Sequence, residues 1–173
     1  MVKRTLWLDR KFNFNFPVSD FPFIIERLRG TPDRAEALVK RLPAGILTKK
    51  PERGWSIQEQ IGHLIKVEAL HIGRLDDYDA GLESLRAADV KNVRTTNADF
   101  NAESIEWILT EFRKVREAFI DRLEAMDEAR AARSAHHPRL DVPMRVCDMA
   151  LFAAEHDDYH FAMITELERK FEG

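Results

Sequence analysis

The sequence predicts an all-α fold, a four-helix bundle with long crossover connections and an extended N-terminal arm. The 173 residues include seven glycines and seven prolines, about 8% against an average of about 12%, too few turn residues for a many-stranded β sandwich. Apolar residues recur at intervals of three and four over several long segments, which is the spacing of one helix face. Residues 1–173 are predicted to form one such bundle domain, with residues 1–19 as the arm.

The arm is predicted from an alternation of residue types. Phe12, Phe14 and Phe16 alternate with polar residues, which is the period of an extended chain. Because no comparable second strand follows, we expect the arm to lie over a helical surface. The N-terminal segment lacks the apolar run of a secretory signal, and no segment is long enough to span a membrane, so a cytoplasmic location is expected.

The first two helical segments are separated by a loop rich in proline and glycine. The first covers residues 20–42 and is interrupted near Gly30, with Thr31 as a candidate N-cap before Pro32. The second begins at Ser56, because Ser56 and Glu59 have the spacing of a capping box, and it runs to about residue 78.

Two further helices are predicted with long connections between them. Residues 79–101 are polar and irregular, and a connection of this length can cross the bundle and let two helices run parallel. The third helix is predicted over residues 103–128. Residues 129–142 form another connection, and the fourth helix covers about residues 143–171.

The core-facing seam of the fourth helix carries two adjacent histidines. Its members are spaced by three and four residues: Val146, Met149, Ala153, His156, His160, Met163 and Leu167. His156 and His160 are therefore one turn apart on an inward face, an arrangement that can bind one metal ion. His63 on the second helix is a candidate third ligand. Three histidines with an open position are typical of a catalytic zinc site, although core histidines bonded to carbonyl groups are the alternative.

The remaining histidines and the cysteine are weaker candidates. His71 is predicted at the rim, and His136 and His137 lie in a connection where exposure is expected. Cys147 is predicted to pack on the opposite side of the fourth helix from His156. The single cysteine excludes an internal disulfide framework, and a net charge of −3 argues against a nucleic-acid partner.

The segment His156–His160 has an imperfect likeness to the metalloprotease motif H-E-x-x-H, with Asp157 in place of glutamate. Asp157 and Glu155 are the candidate catalytic carboxylates on this helix, with a solvated face or support of the histidine rings as alternatives. Trp55 and Tyr159 are predicted to line a substrate pocket, with Phe161 as a further candidate.

Three segments together resemble the DinB-like (DNA-damage-inducible) metalloprotein superfamily: Gly54–Leu64, His137–Leu140 and Ala154–His160. The resemblance implies a four-helix bundle that holds one divalent metal ion through His63, His156 and His160. It also implies a homodimer, because members are often dimeric. Some members resemble thiol S-transferases that use bacillithiol or mycothiol, and others resemble thiol-dependent isomerases.

Three functions follow from these observations. The leading hypothesis is a metal-dependent enzyme, with zinc or nickel as the expected ion, that activates an external low-molecular-weight thiol for transfer to an electrophilic small molecule. The alternatives are a hydrolase that uses metal-bound water, or a non-catalytic dimeric metal-binding module. Neither a nucleic acid nor a membrane is expected as a partner.

Overall fold

A computed structural model describes residues 3–172 and shows a four-helix bundle. The first bundle helix is divided at Gly30 into two pieces. Eight helices are present in these residues: α1 (Phe21–Arg29), α2 (Thr31–Lys40), α3 (Ala44–Leu47), α4 (Ile57–Asp79), α5 (Val93–Thr96), α6 (Ile105–Glu124), α7 (Glu128–Ala131) and α8 (Val146–Glu172). Within residues 3–172, every helix is too short or too polar to serve as a membrane span.

The long connection over residues 80–104 makes α4 and α6 run parallel, as the sequence predicts. Near the start of both helices, the Ser56 hydroxyl donates to Oδ1 of Asn101 at 2.7 Å. Near their ends, Nη1 of Arg122 donates to the carbonyl of Ile72 at 3.1 Å. The chain therefore returns along the whole length of α4 before α6 begins.

Two glycines let residues 80–104 lie directly on α4. A Cβ atom at Gly62 would overlap the Phe100 ring, and a Cβ atom at Gly73 would overlap the Arg86 guanidinium. Both positions are inside a helix, where glycine is unfavourable relative to alanine by about 1 kcal/mol. Close approach of the connection accounts for glycine at both.

The connection predicted over residues 129–142 gives way to a hairpin that the sequence analysis missed. The hairpin runs on to Arg145, so α8 begins at Val146 and not near residue 143 as predicted. Strand β1 (Ser134–His137) pairs antiparallel with β2 (Val142–Arg145). The backbone of His136 also exchanges hydrogen bonds with residues 83 and 85. Four-residue strands in a polar segment give almost no periodic signal, which is why the sequence analysis predicted only a connection there.

The described part of the N-terminal arm, residues 3–19, lies over α8, as expected, and residues 1 and 2 lie outside the described chain. Phe12, Phe14 and Phe16 pack against the core, and Nη2 of Arg145 donates to the carbonyls of Phe14 and Phe16 at 2.9 and 3.0 Å. Trp7, in a short 3-10 turn of the arm, has its ring 4.9 Å from that of Phe152. The arm thus carries an aromatic side chain to the centre of the bundle.

Of the two N-caps predicted from the sequence, the cap at Ser56 is present and the cap at Thr31 is not. Ser56 and Glu59 form the predicted capping box at the start of α4. Thr31 does not cap α2, because the helix already includes it. Its hydroxyl instead contacts Oδ2 of Asp157 at 3.1 Å and the carbonyl of Arg27 at 3.3 Å.

The apolar core is divided into two clusters by a layer of polar side chains. In α8, Ala153 belongs to the first cluster and Phe161 to the second, with His156 and His160 between them. Residues at the same level of the other helices are also buried and polar, and we call this set the polar layer: Thr31, His63, Glu68, His71, Arg116, His156, Asp157 and His160. Its composition sets the chemistry at the middle of the bundle.

Candidate metal centre

Three imidazoles from two helices meet in the polar layer. His63 of α4 and His156 and His160 of α8 are 5%, 7% and 4% exposed. One nitrogen from each ring lies within 4.8 Å of the others, and the Nε2 atoms of His156 and His160 are 3.1 Å apart. Among residues 3–172, no fourth histidine, cysteine or carboxylate joins this group.

Neighbouring polar groups fix the orientation of two of the rings. Nδ1 of His160 lies 2.6 Å from Oε1 of Gln60, which places its hydrogen on Nδ1 and a lone pair on Nε2. Nδ1 of His63 lies 2.9 Å from the hydroxyl of Thr95, a contact compatible with the same tautomer. Nδ1 of His156 is buried without a protein partner.

All three rings are neutral at neutral pH. Burial and the nearby His71 lower the pKa of His63 to about 4. Burial and the other two imidazoles lower the pKa of His156 well below its ordinary value, and burial and His63 do the same for His160. Neutral imidazoles with converging nitrogen atoms are the donor set that divalent transition metals bind, so these residues fit a metal ion.

Aromatic side chains surround the imidazoles. The Trp55 ring lies 4.8 Å from that of His63, Trp7 lies 4.9 Å from His156, and Tyr159 lies 5.6 Å from His160. All of these residues line a cavity of about 500 Å³, the size of a small-molecule site.

Phe161, the further pocket candidate, packs in the second apolar cluster instead. It is 7% exposed, and Arg34 lies over its ring. This corrects the expectation that Phe161 lines the pocket.

The two candidate catalytic carboxylates are held by arginines. Glu155 contacts Arg10 and Arg27 on the arm side of α8. Asp157 accepts from Nη1 and Nη2 of Arg116 at 2.6 and 3.0 Å. Neither residue lines the cavity, and a catalytic role for either stays a prediction.

Comparison with known proteins supplies the family. A family model described as the DinB superfamily matches residues 27–164, which is most of the chain. The chain belongs to the DinB superfamily. The family match confirms the resemblance of the three sequence segments, and the fold agrees with it.

Relatives of this DinB-superfamily chain are distant. Two uncharacterized proteins from two strains of Mycobacterium tuberculosis are 32% identical over 114 residues, or 63% of this chain. The match spans 44% of the length of these curated relatives.

Solved structures show the same fold. YfiT from Bacillus subtilis, described as a probable metal-dependent hydrolase with an unusual four-helix bundle topology, aligns with a TM-score of 0.80 at 18% identity. The alignment covers 94% of each chain. A protein from Streptococcus pneumoniae aligns with a TM-score of 0.62 at 11% identity, over 94% of this chain and 92% of that one.

A buried charge network in this DinB-superfamily bundle lies beside the imidazoles. Arg116 is 1% exposed and contacts both Glu68 and Asp157. His71, predicted at the rim, is 2% exposed, with Nδ1 3.7 Å from Oε1 of Glu68. The rim prediction for His71 was wrong, because α4 is covered on that side by residues 80–104 and by α6.

The predicted exposure is correct for His136 and Cys147 and wrong for His137. His136 is exposed as expected, but His137 is 1% exposed and lines the cavity, which corrects its predicted exposure. Cys147 is fully buried as predicted, and burial raises the pKa of its thiol to about 11.

Sequence reasoning missed three residues that support the imidazoles: Trp7, Gln60 and Thr95. Gln60 had a usable signal, since it precedes His63 by three residues and therefore lies on a neighbouring face of α4. Trp7 lies in a three-residue 3-10 turn and Thr95 in the four-residue helix α5, which are too short to show a period, so nothing in the pattern places them near the imidazoles.

Proposed function

We propose that the protein is a divalent-metal-dependent enzyme acting on a small molecule held in the 500 Å³ cavity, with His63, His156 and His160 as metal ligands. The observation that carries this proposal is the convergence of three neutral, buried imidazoles at the wall of that cavity. A purely structural zinc site would be closed by a fourth protein ligand. Direct contact with the cavity instead leaves room for a substrate.

Transfer of an external thiol is the reaction we favour. Among the described residues that line the cavity, Asp89 is the only carboxylate, and it accepts from the Arg94 backbone N–H at 3.0 Å. A general base for activating water is therefore not provided beside the imidazoles. A bound metal would lower the pKa of a thiol or of water, but a thiol, with an ordinary pKa of about 8.5 against about 15.7 for water, needs less help to lose its proton. In the reaction, the thiol sulfur would bond to carbon of the electrophile, the leaving group would depart with its electron pair, and the thiol proton would pass to solvent.

The residues around the imidazoles would position the reactants. Gln60 and Thr95 hold the His160 and His63 rings, which keeps the Nε2 atoms directed at one point. Trp7 and Trp55 pack beside the His156 and His63 rings and would limit the access of water to them, which would strengthen electrostatic interactions at this point. Cys147 is buried away from the cavity lining, so the reacting thiol must come from another molecule.

Hydrolysis is the second candidate, and the likeness to YfiT, described as a probable metal-dependent hydrolase, favours it. The third candidate, a non-catalytic module, has less support because the cavity reaches the imidazoles. We further propose zinc or nickel as the ion, a cytoplasmic location and a homodimer in solution. Light scattering during size-exclusion chromatography tests the dimer, and a mass of about 20 kDa would reject it.

The metal proposal is tested by elemental analysis of protein purified without a nickel column. One divalent ion per chain is expected for the natural sequence, and none for His160→Ala. His136→Ala, which removes an exposed histidine, is the matched control and should retain the ion. Retention of metal by His160→Ala with unchanged helical circular dichroism would reject the site.

The reaction is tested with the loaded protein, bacillithiol or a related thiol, and an alkylating electrophile. Conjugation that depends on the metal and stops with a chelator would support S-transfer. Equal conjugation rates with and without chelator would reject it. Chelator-sensitive ester or amide hydrolysis without thiol would favour the hydrolase.

A further inference from the structure

The cavity is cationic although the chain is acidic overall. The net charge is −3, yet the cavity lining contains several permanent cations and a single carboxylate, Asp89. The cations that line it are Lys66, Arg74, Arg86, Arg94 and Arg139. Arg86 is neutralised by Asp77, to which its Nη2 donates at 2.6 Å. Asp89 can balance only one of the other four, so the cavity keeps an excess of positive charge.

Arg74 and Arg139 carry guanidinium groups with unused donors. Arg74 is 1% exposed, and its only hydrogen bond within residues 3–172 runs from Nε to the carbonyl of Arg86 at 3.2 Å. Arg139 donates to no acceptor in that part of the chain, and its Nη2 atom is buried. The Arg139 guanidinium lies over the Phe152 ring at 5.3 Å. A buried N–H donor without an acceptor is costly, so such donors are rarely left unmatched.

His137 adds a third unused donor at the same end of the cavity. Its Nδ1 atom accepts from the backbone N–H of Leu140 at 3.1 Å, which places the ring hydrogen on Nε2. Nε2 is buried and has no acceptor within the described chain. Burial, together with the charges of Arg74 and Arg139, lowers the pKa of His137 to about 3, so the ring is a neutral donor.

We infer that Arg74, His137 and Arg139 form a subsite for an oxyanion, a carboxylate or phosphate group carried by the ligand of this cavity. Guanidinium groups match the geometry of both anions, and their charge-assisted hydrogen bonds are the strong ones. A neutral imidazole N–H can donate alongside them without adding a charge. The three residues come from α4 and from the hairpin, so the hairpin that sequence analysis missed supplies two thirds of the subsite.

Aromatic contacts connect this subsite to the imidazoles of the candidate metal centre. The Phe152 ring lies 5.4 Å from that of His137 and 4.9 Å from that of Trp7. The Trp7 ring lies 4.9 Å from that of His156. A ligand that extends along these two rings can place its anionic end at the arginines and its reactive end at the imidazoles. This inference rests on the proposed function, because it takes the cavity as the substrate site.

The subsite is tested by isothermal titration calorimetry of the full chain after metal removal with a chelator. Inorganic phosphate and succinate are titrated separately at low ionic strength. Saturable binding with one site is expected for at least one of them, and the tighter probe identifies the kind of anion. Arg139→Gln should weaken that binding at least tenfold. Arg94→Gln removes an exposed cation of the same cavity and should bind within about twofold of the natural sequence.

Two further measurements keep the outcomes distinct. Arg139→Lys should recover part of the affinity, and circular dichroism checks that each variant folds. Absence of saturable binding by the natural sequence, or equal weakening by Arg94→Gln, would overturn the subsite. Phosphate binding retained in a protein that binds no metal would reject the proposed function and leave the subsite standing. Metal binding without anion binding would reject the subsite and leave the proposed function standing.

Discussion

Nδ1 of His160 donates a hydrogen bond to Oε1 of Gln60 across 2.6 Å, which joins α8 to α4 at the candidate metal centre. Both residues are buried, with Gln60 1% exposed. The bond selects the His160 tautomer whose Nε2 lone pair faces the other two imidazoles. The orientation of one proposed ligand therefore depends on a residue that would not touch the metal.

Gln60→Ala should lower metal affinity about 10–100-fold, the range found when the hydrogen-bond partner of a ligating histidine is removed. Competition with a fluorescent chelator measures the change. Gln58→Ala is the control, since the Gln58 amide donates to the carbonyls of Phe100 and Glu103 and not to an imidazole. Gln58→Ala should reduce stability and leave metal affinity unchanged. Equal metal loss in both variants would contradict the role of Gln60.

Asp157→Asn should lower the free energy of unfolding by about 3–5 kcal/mol, because it leaves the buried charge of Arg116 short of one partner. Urea denaturation measures this loss. Asp158→Asn is the comparison, and its loss should stay below about 1 kcal/mol, since the Asp158 side chain is 34% exposed. If Asp157→Asn kept full stability and lost activity, Asp157 would be a catalytic base after all.

Gly62→Ala should destabilise the protein by about 1–3 kcal/mol, because the added methyl group overlaps the Phe100 ring. Gly45→Ala is the matched control: its Cβ would meet no atom within 4 Å, and alanine is the better helix former. Thermal unfolding followed by circular dichroism compares the two. A stable Gly62→Ala variant would show that residues 80–104 do not lie tightly on α4.

Asp77→Asn should lose stability at neutral pH but not in acid. Hydrogen bonds from Arg86 lower the pKa of Asp77 below its ordinary value of 3.8, despite opposing desolvation. The stability from this pair is therefore complete above pH 3.8 and disappears as the pH falls through the lower folded-state pKa. Urea midpoints of the natural sequence and of Asp77→Asn should differ at pH 7, and the difference should shrink as the pH falls below 3.8. A constant difference at all pH values would contradict this account.

Cys147→Ala should leave metal content and thiol-dependent turnover unchanged, since the thiol is fully buried and does not line the cavity. With its pKa raised to about 11, the thiol should also resist aromatic disulfide reagents in the native protein and react after unfolding. Rapid labelling of the folded protein, or loss of turnover in Cys147→Ala, would show that the chain supplies its own thiol.

Helical periodicity predicted the three histidines of the site, which lie on the long helices α4 and α8. His156 and His160 follow from the seam of α8, and His63 follows from its place beside the buried apolar stripe of α4, which is formed by Ile57, Ile61 and Leu64. Asp157 shows the limit of motif likeness: one residue along a helix turns the side chain by about 100°, away from the imidazoles and onto Arg116. Thr95 could not be predicted, because its position depends on how residues 80–104 fold back on α4.

Residues 80–104 are under two different evolutionary constraints as they return along α4. Some positions must pack against the helix, and others line the cavity. This segment packs on α4 at two points, with Phe100 at Gly62 and Arg86 at Gly73. The residues between Arg86 and Phe100 include Val90, Asn92 and Arg94, which line the cavity. Replacements of these three residues can alter which molecules are admitted without removing the contact between Thr95 and His63. Diversification of ligand choice among proteins of this architecture should therefore concentrate there.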